Sequence, residues 1–160
     1  MYISGEPIAG NNMIITNKYA LLVESGSTKL DGSLNVTNNI AQEGGGISII
    51  GGTPIITNSL ISDNTSTIYS GGGIHIKDES EAYLSDLTIS DNHGHWHGGL
   101  FIWTGSNVTI NNSIITGNTQ NEYTGAIGVE EAYANLINIT VTQNGIGGVS
   151  IWNGGHVNII

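Results

Sequence analysis

The fold is decided by the stretch Ile56-Thr57-Asn58-Ser59-Leu60-Ile61-Ser62-Asp63-Asn64, which is soon followed by Gly71-Gly72-Gly73-Ile74. An Asn, an aliphatic residue and a second Asn stand here at fixed offsets, and a glycine pair then precedes a new aliphatic segment. The same marks recur along the chain. The glycine pair, or a Gly-Ala equivalent, begins at positions 45, 72, 98, 125 and 147, so that successive copies are 27, 26, 27 and 22 residues apart. The sequence is therefore an internal repeat.

Two series of polar residues mark each copy of the repeat. The first series ends the motif and consists of Asn39, Asn64, Asn92, Asn118 and Asn144. The second series stands six residues earlier and consists of Asn58, Asp86, Asn112 and Asn138. If the copies stack as coils, both series lie at corners where side chains bond to the coils above and below, and Asn118 bonds to Asn92 or Asn144. The glycine pairs are expected to supply the backbone freedom of a turn.

Apolar residues alternate within each copy, as in Ile74-His75-Ile76 and Leu100-Phe101-Ile102, which is typical of β-strands. A repeat of this length with three short strands is too short for a propeller blade and carries no helix for a leucine-rich repeat. Stacked coils instead place one face of every strand in a shared core, at a spacing of about 4.8 Å. The sequence predicts an all-β fold, a single-stranded parallel β-helix of about six coils with three short strands each.

Length and composition fit one folded domain, because 160 residues with 38% hydrophobic and 10% charged side chains can build an apolar interior. We predict a single β-helix domain over residues 1–160, with an irregular first coil at 1–35 and regular coils at 36–160. The final residues 156–160 repeat the pattern of 107–111 and stop within a coil, and neither end resembles a polar cap. We therefore expect a segment of a longer solenoid that self-associates through uncapped ends.

The charge balance excludes several partner classes. The chain has 3 basic residues, all Lys, against 13 acidic residues, for a net charge of −10, and it has no cysteine. Nucleic acids and anionic membrane surfaces require clustered Lys and Arg. No apolar run is long enough for a transmembrane helix. We expect no nucleic-acid partner, no membrane insertion by this segment and no cofactor.

The motif quoted above resembles the Gly-Gly-Ala-Ile and Phe-x-x-Asn repeats of the chlamydial polymorphic outer-membrane proteins. The resemblance extends from about Val36 over nearly the whole chain, with Ile or Val standing where that family has Phe. The passenger regions of those proteins are right-handed parallel β-helices displayed on the cell surface. The resemblance implies right-handed coils, an extracellular or cell-surface location and a structural or adhesive role.

Aromatic residues occur in the loops and at outward strand positions. These are the positions available for binding, because the inward positions pack in the core. The loops before the glycine pairs carry Tyr69, Trp96 and Tyr123 at nearly the same offset, and the strands that follow carry His75, Phe101 and Trp103 at outward positions. The last of these strands places Trp152 in the same outward column as Trp103. An exposed aromatic strip suits stacking against the apolar face of a sugar. It predicts binding of a polysaccharide or of a host or cell-surface glycan. Stacking between coils that stabilises the loops is the other interpretation.

Three histidines alternate in the run Asp91-Asn92-His93-Gly94-His95-Trp96-His97. In an extended segment His93, His95 and His97 share one side, and three imidazoles beside a carboxylate are a ligand set for zinc. The run therefore predicts a metal site, with a solvated loop tip as the alternative.

A polysaccharide lyase or glycoside hydrolase of the pectate-lyase-like type is the competing function. Such lyases use an Arg base, and this chain has no Arg. Hydrolases need two facing carboxylates roughly 5 to 10 Å apart, and Glu130 is the only acid at the outward positions of the strands that follow the glycine pairs. We therefore assign no catalytic residue and expect a binding protein rather than an enzyme.

A lower alternative is an ice-binding β-helix. It rests on one outward column of hydroxyl side chains, formed by Thr37, Ser62, Ser90, Thr116 and Thr142. The neighbouring column is too mixed for a regular array, and β-propensity already explains hydroxyl-rich strand faces.

Overall fold

The computed structural model describes residues 21–30, 32–122 and 124–160. These residues form a parallel solenoid of about five turns that contains strands and no helix. Each of the first four coils adds one strand to each of four sheets, and the last two coils add fewer. Every strand pairs in parallel with its counterpart one coil away. The predicted all-β parallel β-helix is confirmed, and the coil count agrees with the prediction.

The four sheets run along the solenoid axis. Sheet A contains β1 (Leu21–Gly26), β5 (Ile47–Gly52), β9 (Ile74–Lys77), β13 (Leu100–Trp103), β17 (Ile127–Glu130) and β20 (Val149–Trp152). Sheet B contains β2 (Lys29–Leu30), β6 (Ile55–Thr57), β10 (Glu81–Ser85), β14 (Asn107–Asn111), β18 (Tyr133–Ile137) and β21 (His156–Ile159). Sheet C contains β3 (Asn35–Thr37), β7 (Leu60–Ser62), β11 (Thr88–Ser90), β15 (Ile114–Thr116) and β19 (Thr140–Thr142). Sheet D contains β4 (Ile40–Ala41), β8 (Thr65–Ser66), β12 (His93–Gly94) and β16 (Thr119–Gln120).

Sheet D is a difference from the prediction of three strands per coil. Its strands have only two residues and directly follow the first-series Asn. No hydrophobic alternation can be read over two residues, so the sequence pattern predicts a loop for this stretch. The fourth strand matters because it fixes where the long loop toward sheet A begins.

The core consists of aliphatic columns that run up the inside of the solenoid. Strand alternation points one set of side chains inward, and identical positions stack from coil to coil. The central members are fully buried, namely Ile47, Ile74 and Leu100 from sheet A, Ile56, Leu84 and Ile110 from sheet B, and Ile61, Ile89 and Ile115 from sheet C. Burying each such side chain contributes roughly 1.5 to 3 kcal/mol, so these columns are a major source of the stability of the stacked coils.

The first Asn series forms a continuous hydrogen-bonded ladder inside the corner between sheets C and D. Each side-chain amide donates to the Oδ1 atom of the next Asn over 2.9 to 3.0 Å, in the order Asn39, Asn64, Asn92, Asn118 and Asn144. The same Oδ1 atom also accepts the backbone N–H of the preceding Asn. Asn64, Asn92 and Asn118 are completely buried. Asn118 therefore bonds to both Asn92 and Asn144.

The second series serves the corner between sheets B and C in a different way. Asn58, Asp86, Asn112 and Asn138 all have positive φ values between 48° and 55°. Asn and Asp tolerate this left-handed backbone better than other residues with a side chain. They are exposed, and the one side-chain bond among them joins the Asn138 amide to Asn112 Oδ1. Backbone conformation, rather than a second ladder, explains this column.

The glycine pairs permit close contact between coils and do not supply turn freedom. A Cβ atom on Gly72 would lie 2.4 Å from the Gly98 carbonyl oxygen, and one on Gly73 would lie 2.8 Å from the Gly99 carbonyl oxygen. The left-handed residue in this region is the preceding Gly71, with φ of +70°. The expectation was therefore wrong in its cause, because sequence alone does not distinguish a glycine needed for φ from one needed for space.

Within residues 1–35, assigned to an irregular first coil by sequence, the described strands β1 and β2 pair with the strands of the next coil. Leu21 pairs with Ile47 and Lys29 with Ile55, in the register used by later coils. Residues 1–20 of that predicted coil lie outside the described residues. The glycine pair is missing before β1, so the sequence pattern does not reveal that this coil belongs to the repeat.

The last described coil exposes apolar side chains along an open edge. β20 and β21 each pair on one side only, and Ile151 and Ile159 are 49% and 71% exposed. Such edges are templates for strand pairing between molecules. Self-association through this edge stays a prediction: we expect the sedimentation coefficient to rise with protein concentration. A constant monomer coefficient at high concentration would contradict it.

Candidate functional site

Two outward columns of sheet A carry the candidate site. One column consists of Ser48, His75, Phe101, Gly128 and Ser150, and the other of Ile50, Lys77, Trp103, Glu130 and Trp152. Parallel in-register pairing keeps members of one column about 4.8 Å apart. Side chains from neighbouring coils are therefore in contact range, although they are far apart in sequence.

The loops that lead from sheet D to sheet A cover the first column. His75 and Phe101, which the sequence placed on an exposed strip, are only 1% and 5% exposed. Gly44 lies directly over this column, because a Cβ there would sit 3.2 Å from the His75 Cβ. These two rings thus form a buried layer beneath the loops and are not presented to solvent. Loop placement cannot be read from strand alternation.

His97 completes the buried layer. Its ring stacks on Phe101 with centroids 4.8 Å apart and planes 7° apart. The Nε2 atom lies 3.0 Å from the Ser150 hydroxyl, and Nδ1 lies 3.2 Å from the Ser70 hydroxyl. Gly128 makes room for this ring, because a Cβ at that position would lie 2.3 Å from His97 Nε2. The imidazole is therefore held by stacking on Phe101 and by a hydroxyl group at each nitrogen.

All three tryptophans of the chain lie beside this layer. Trp96, Trp103 and Trp152, which we call the tryptophan patch, are 43%, 37% and 38% exposed. Trp96 approaches Trp152 with ring centroids 6.5 Å apart, and Trp103 stacks at 6.1 Å from Phe101. Trp152 also meets the edge of His97 at 5.7 Å. The buried layer thus positions half-exposed indoles that come from three separate segments.

The loop that carries Trp96 is anchored to the next coil. The Thr124 hydroxyl donates to the Trp96 carbonyl, and the backbone N–H groups of Asn121 and Glu122 donate to the His95 carbonyl. These bonds leave the indole exposed while its backbone is held. The patch therefore rests on ordered backbone and not on a free loop tip.

A charged cluster borders the patch at coils two and three. Lys77 Nζ donates to Glu43 Oε1 over 2.8 Å, and Glu43 Oε2 lies 3.6 Å from His75 Nδ1. The side chains of Glu43 and Lys77 are only 17% and 18% exposed. Sequence reasoning did not include Glu43. A signal existed, because Glu43 stands four residues before Ile47, the offset that Trp96 has before Leu100.

Burial controls the protonation of the two buried histidines. Desolvation, aided by the Lys77 charge, lowers the pKa of His75 from 6.5 to about 3. Desolvation, aided by His75, lowers the pKa of His97 from 6.5 to about 4. Neither nitrogen of His75 has a hydrogen-bond partner. The nearest carboxylate, Glu43, lies 3.6 Å from Nδ1 and is already paired with Lys77, whose charge opposes the imidazolium. Both rings are neutral at neutral pH and act as aromatic packing.

The structure does not bring the three histidines of the predicted metal site together. The His93 ring bonds to the Thr119 hydroxyl, His95 Nε2 lies 4.0 Å from Glu122, and His97 turns inward to Ser70 and Ser150. Within the described part of the chain, no three His, Asp or Glu side chains are grouped to hold a metal ion. Only two residues, His93 and Gly94, are extended as β12, so the alternation that would align the rings ends there.

Two other predicted aromatic residues do not join the patch. Tyr69 is 57% exposed, and its ring meets no other ring among the residues that the structure describes. Tyr123 lies outside the described residues. Trp152, by contrast, belongs to the patch, although the sequence placed it in the outward column without assigning it a binding role. Its distance from Trp96 in sequence concealed their contact.

Comparison with known proteins identifies the repeat. A family model for the right-handed β-helix region matches residues 3–160. The chain belongs to the right-handed β-helix family. The predicted handedness is thereby confirmed, whereas the finer resemblance to the chlamydial proteins stays a prediction. No curated protein and no solved structure matches the chain.

Function must therefore be argued from the site, because right-handed β-helix folds host unrelated activities. In this right-handed β-helix the patch offers apolar ring faces, with the Glu130 carboxylate and the Asn153 amide beside Trp152. Ring faces for stacking and polar groups for hydroxyls are the two elements of sugar recognition. The described residues contain no helix that could cross a membrane.

Proposed function

We propose that this protein is an extracellular or cell-surface scaffold whose tryptophan patch binds a glycan. One observation supports the proposal above all others. Residues 96, 103 and 152 are the only three tryptophans of the chain, and each is more than a third exposed. Trp96 contacts Trp152, and Trp103 stacks on Phe101 of the buried layer beside them. Large exposed aromatic groups in contact mark interaction surfaces.

The solenoid does not need these rings for its own packing. Other coils have Ile50, Lys77 or Glu130 at the position equivalent to Trp103. The strand therefore does not require an indole at this position. The inward aliphatic columns are complete without them. The interpretation that the aromatic residues only stabilise loops fits the buried His75, His97 and Phe101 better than it fits the exposed indoles.

Removing an indole from the patch is expected to weaken glycan binding strongly and leave the fold intact. Trp103→Ala and Trp152→Ala each delete one stacking face, and we expect at least a tenfold loss of affinity for any glycan that the wild type binds on an array. The measurement is a glycan array followed by calorimetry with the best ligand.

Ile114→Ala is the matched control, because Ile114 is 46% exposed on sheet C, away from the patch. Circular dichroism should show the β-signal of the wild type for all three variants. If both tryptophan variants bind as tightly as the wild type, or the wild type binds no glycan, the proposal is wrong.

A second candidate, cleavage of a polysaccharide, has one specific observation in its favour. The Glu43 carboxylate is held at Lys77, and Lys77 and Glu130 lie on either side of Trp103 in one column. Two strand spacings place the backbones of Lys77 and Glu130 about 10 Å apart. The Glu43 carboxylate at Lys77 and the Glu130 carboxylate are therefore the two acids that such a hydrolase would use. Mass spectrometry of the bound glycan after incubation separates the two functions, since binding leaves it intact and cleavage shortens it.

A further inference from the structure

An acidic side chain stands between two indoles in the outward column of sheet A. In-register pairing sets Trp103 beside Glu130 and Glu130 beside Trp152. Two strand spacings separate the backbones of the two tryptophans by about 9.6 Å. The Glu130 side chain therefore begins midway between the indoles, at the base of the space between Trp103 and Trp152, which we call the indole slot.

The ring of Trp103 turns one face toward the indole slot. The rings of His75, Phe101 and His97 stack on one another along the solenoid axis, with centroids 5.2 and 4.8 Å apart. The plane of Trp103 lies 16° from that of His75 and 23° from that of Phe101. The two faces of Trp103 are therefore directed along the axis, and one of them is turned toward the coil that carries Glu130.

Trp152 forms the other wall of the indole slot and is inclined to the first. Its plane makes an angle of 62° with His97 and of 55° with Trp96. Since the plane of His97 lies only 7° from that of Phe101, Trp152 is inclined to Trp103 as well. Inclined indoles on two sides of one space are the walls of an aromatic cage, whereas a flat stacking platform needs parallel rings.

The indole slot is negatively charged. Glu130 Oε1 accepts a hydrogen bond from the Asn153 amide, and Oε2 has no hydrogen-bond partner among the residues that the structure describes. The one basic residue of the column, Lys77, lies on the far side of Trp103, and Glu43 pairs with its charge over 2.8 Å. The whole chain has a net charge of −10. A cation is therefore attracted to the slot, and an anion is repelled.

Indole faces favour one class of cation. The π electrons of tryptophan attract a cation within about 6 Å of the ring, and a group midway along the slot is about 4.8 Å from the level of each indole. Ring faces do not replace the hydrogen bonds that a small ammonium ion makes with water. A quaternary ammonium group makes no such bonds, so it loses little hydration when it enters the slot.

We propose that the indole slot binds a quaternary ammonium group, held between Trp103 and Trp152 and neutralised by Glu130. The proposal goes beyond the glycan-binding function, because stacking against a sugar needs ring faces and no charge. It also gives Glu130 a role that the stacking of sugars does not require.

Nuclear magnetic resonance of the indole N–H groups during titration with choline tests the proposal. Choline should shift the signals of Trp103 and Trp152 saturably. The uncharged isostere of choline, in which a tert-butyl group replaces the trimethylammonium group, should bind at least tenfold more weakly. Glu130→Gln should also weaken choline binding at least tenfold. Its circular dichroism should stay that of the wild type, because glutamine keeps the size of the side chain and an oxygen for Asn153.

Glu131→Gln is the matched control. It removes the same charge from the next residue, an exposed acid in the turn after β17, and it should bind choline as the wild type does. If choline causes no saturable shift, if the uncharged isostere binds equally well, or if Glu130→Gln binds choline as tightly as the wild type, the proposal is wrong. Equal weakening by the two glutamine variants would also overturn it, because general attraction by the acidic chain would then explain the binding.

Failure of this proposal is distinguishable from failure of the glycan proposal. Glycan binding without choline shifts would overturn the indole slot and leave the proposed function standing. Choline shifts together with an array on which no glycan binds would do the reverse. Trp103→Ala should lose choline binding, whereas Glu130→Gln should retain the binding of an uncharged glycan.

Discussion

Replacing Asn118 with leucine is expected to lower the free energy of unfolding by about 3 kcal/mol or more, because several buried groups lose their partners at once. The Asn118 amide donates to the carbonyls of Ile89 and Thr116 and to Asn144 Oδ1. Its own Oδ1 accepts the backbone N–H and the side-chain amide of Asn92. Leucine offers none of these groups. Urea unfolding followed by circular dichroism measures the loss.

Asn39→Leu is the matched control for this prediction. Asn39 is the first rung of the ladder described, is only partly buried, and its amide donates to Thr37 and Asn64. Asn39→Leu should lower the free energy of unfolding clearly less than Asn118→Leu does. Water can reach the hydrogen-bonding groups that lose Asn39 as their partner. Equal destabilisation of the two variants, or an unchanged midpoint for Asn118→Leu, would show that the ladder does not hold the corner.

Acidification is expected to destabilise the protein well before its carboxylates titrate. The pKa values of His75 and His97 in the folded state lie below 6.5, the ordinary pKa of a histidine. The unfolded chain therefore binds protons more readily than the folded chain. Stability is therefore unaffected above pH 6.5 and falls as the pH drops toward 4. Between pH 7 and pH 5 the loss is about 2 kcal/mol for each histidine. Urea unfolding at a series of pH values measures it.

Single variants identify which histidine is responsible. His75→Phe and His97→Phe should each remove about half of the pH dependence, because phenylalanine keeps an aromatic ring and cannot be protonated. Ile114→Ala, which changes no titratable group, is the control and should leave the slope unchanged. A free energy of unfolding that is flat between pH 7 and pH 5 would mean that the buried layer admits water.

The fold was predictable because its decisive marks are local and repeated. A ladder Asn such as Asn92 needs only to recur at the coil period to reveal a corner, and Ile74-Ile76 alternation reveals a strand. The role of the glycine pair was not predictable, since the clash that excludes a Cβ on Gly72 involves the backbone of another coil. The two-residue strands of sheet D are likewise too short to show periodicity.

The site was only partly predictable, because it is built across coils. Outward alternation correctly placed Trp103 and Trp152 in one column, but it could not show that a loop covers His75. The contact between Trp96 and Trp152 depends on how far the loop of one coil reaches over the strands of the next two. Glu43 reaches Lys77 in the same way. Loop paths of this kind are set by packing, and strand periodicity contains no information about them.

The most direct test of the central claim is tryptophan fluorescence during titration with the glycan that binds best on the array. Every indole of the chain lies in the patch, so the emission reports this surface and no other. A bound sugar replaces water at the half-exposed rings, and we expect a saturable blue shift of the wild-type emission that is reduced in Trp103→Ala and Trp152→Ala. Saturable binding by calorimetry with an unchanged emission maximum would contradict the claim that the tryptophan patch is the glycan site.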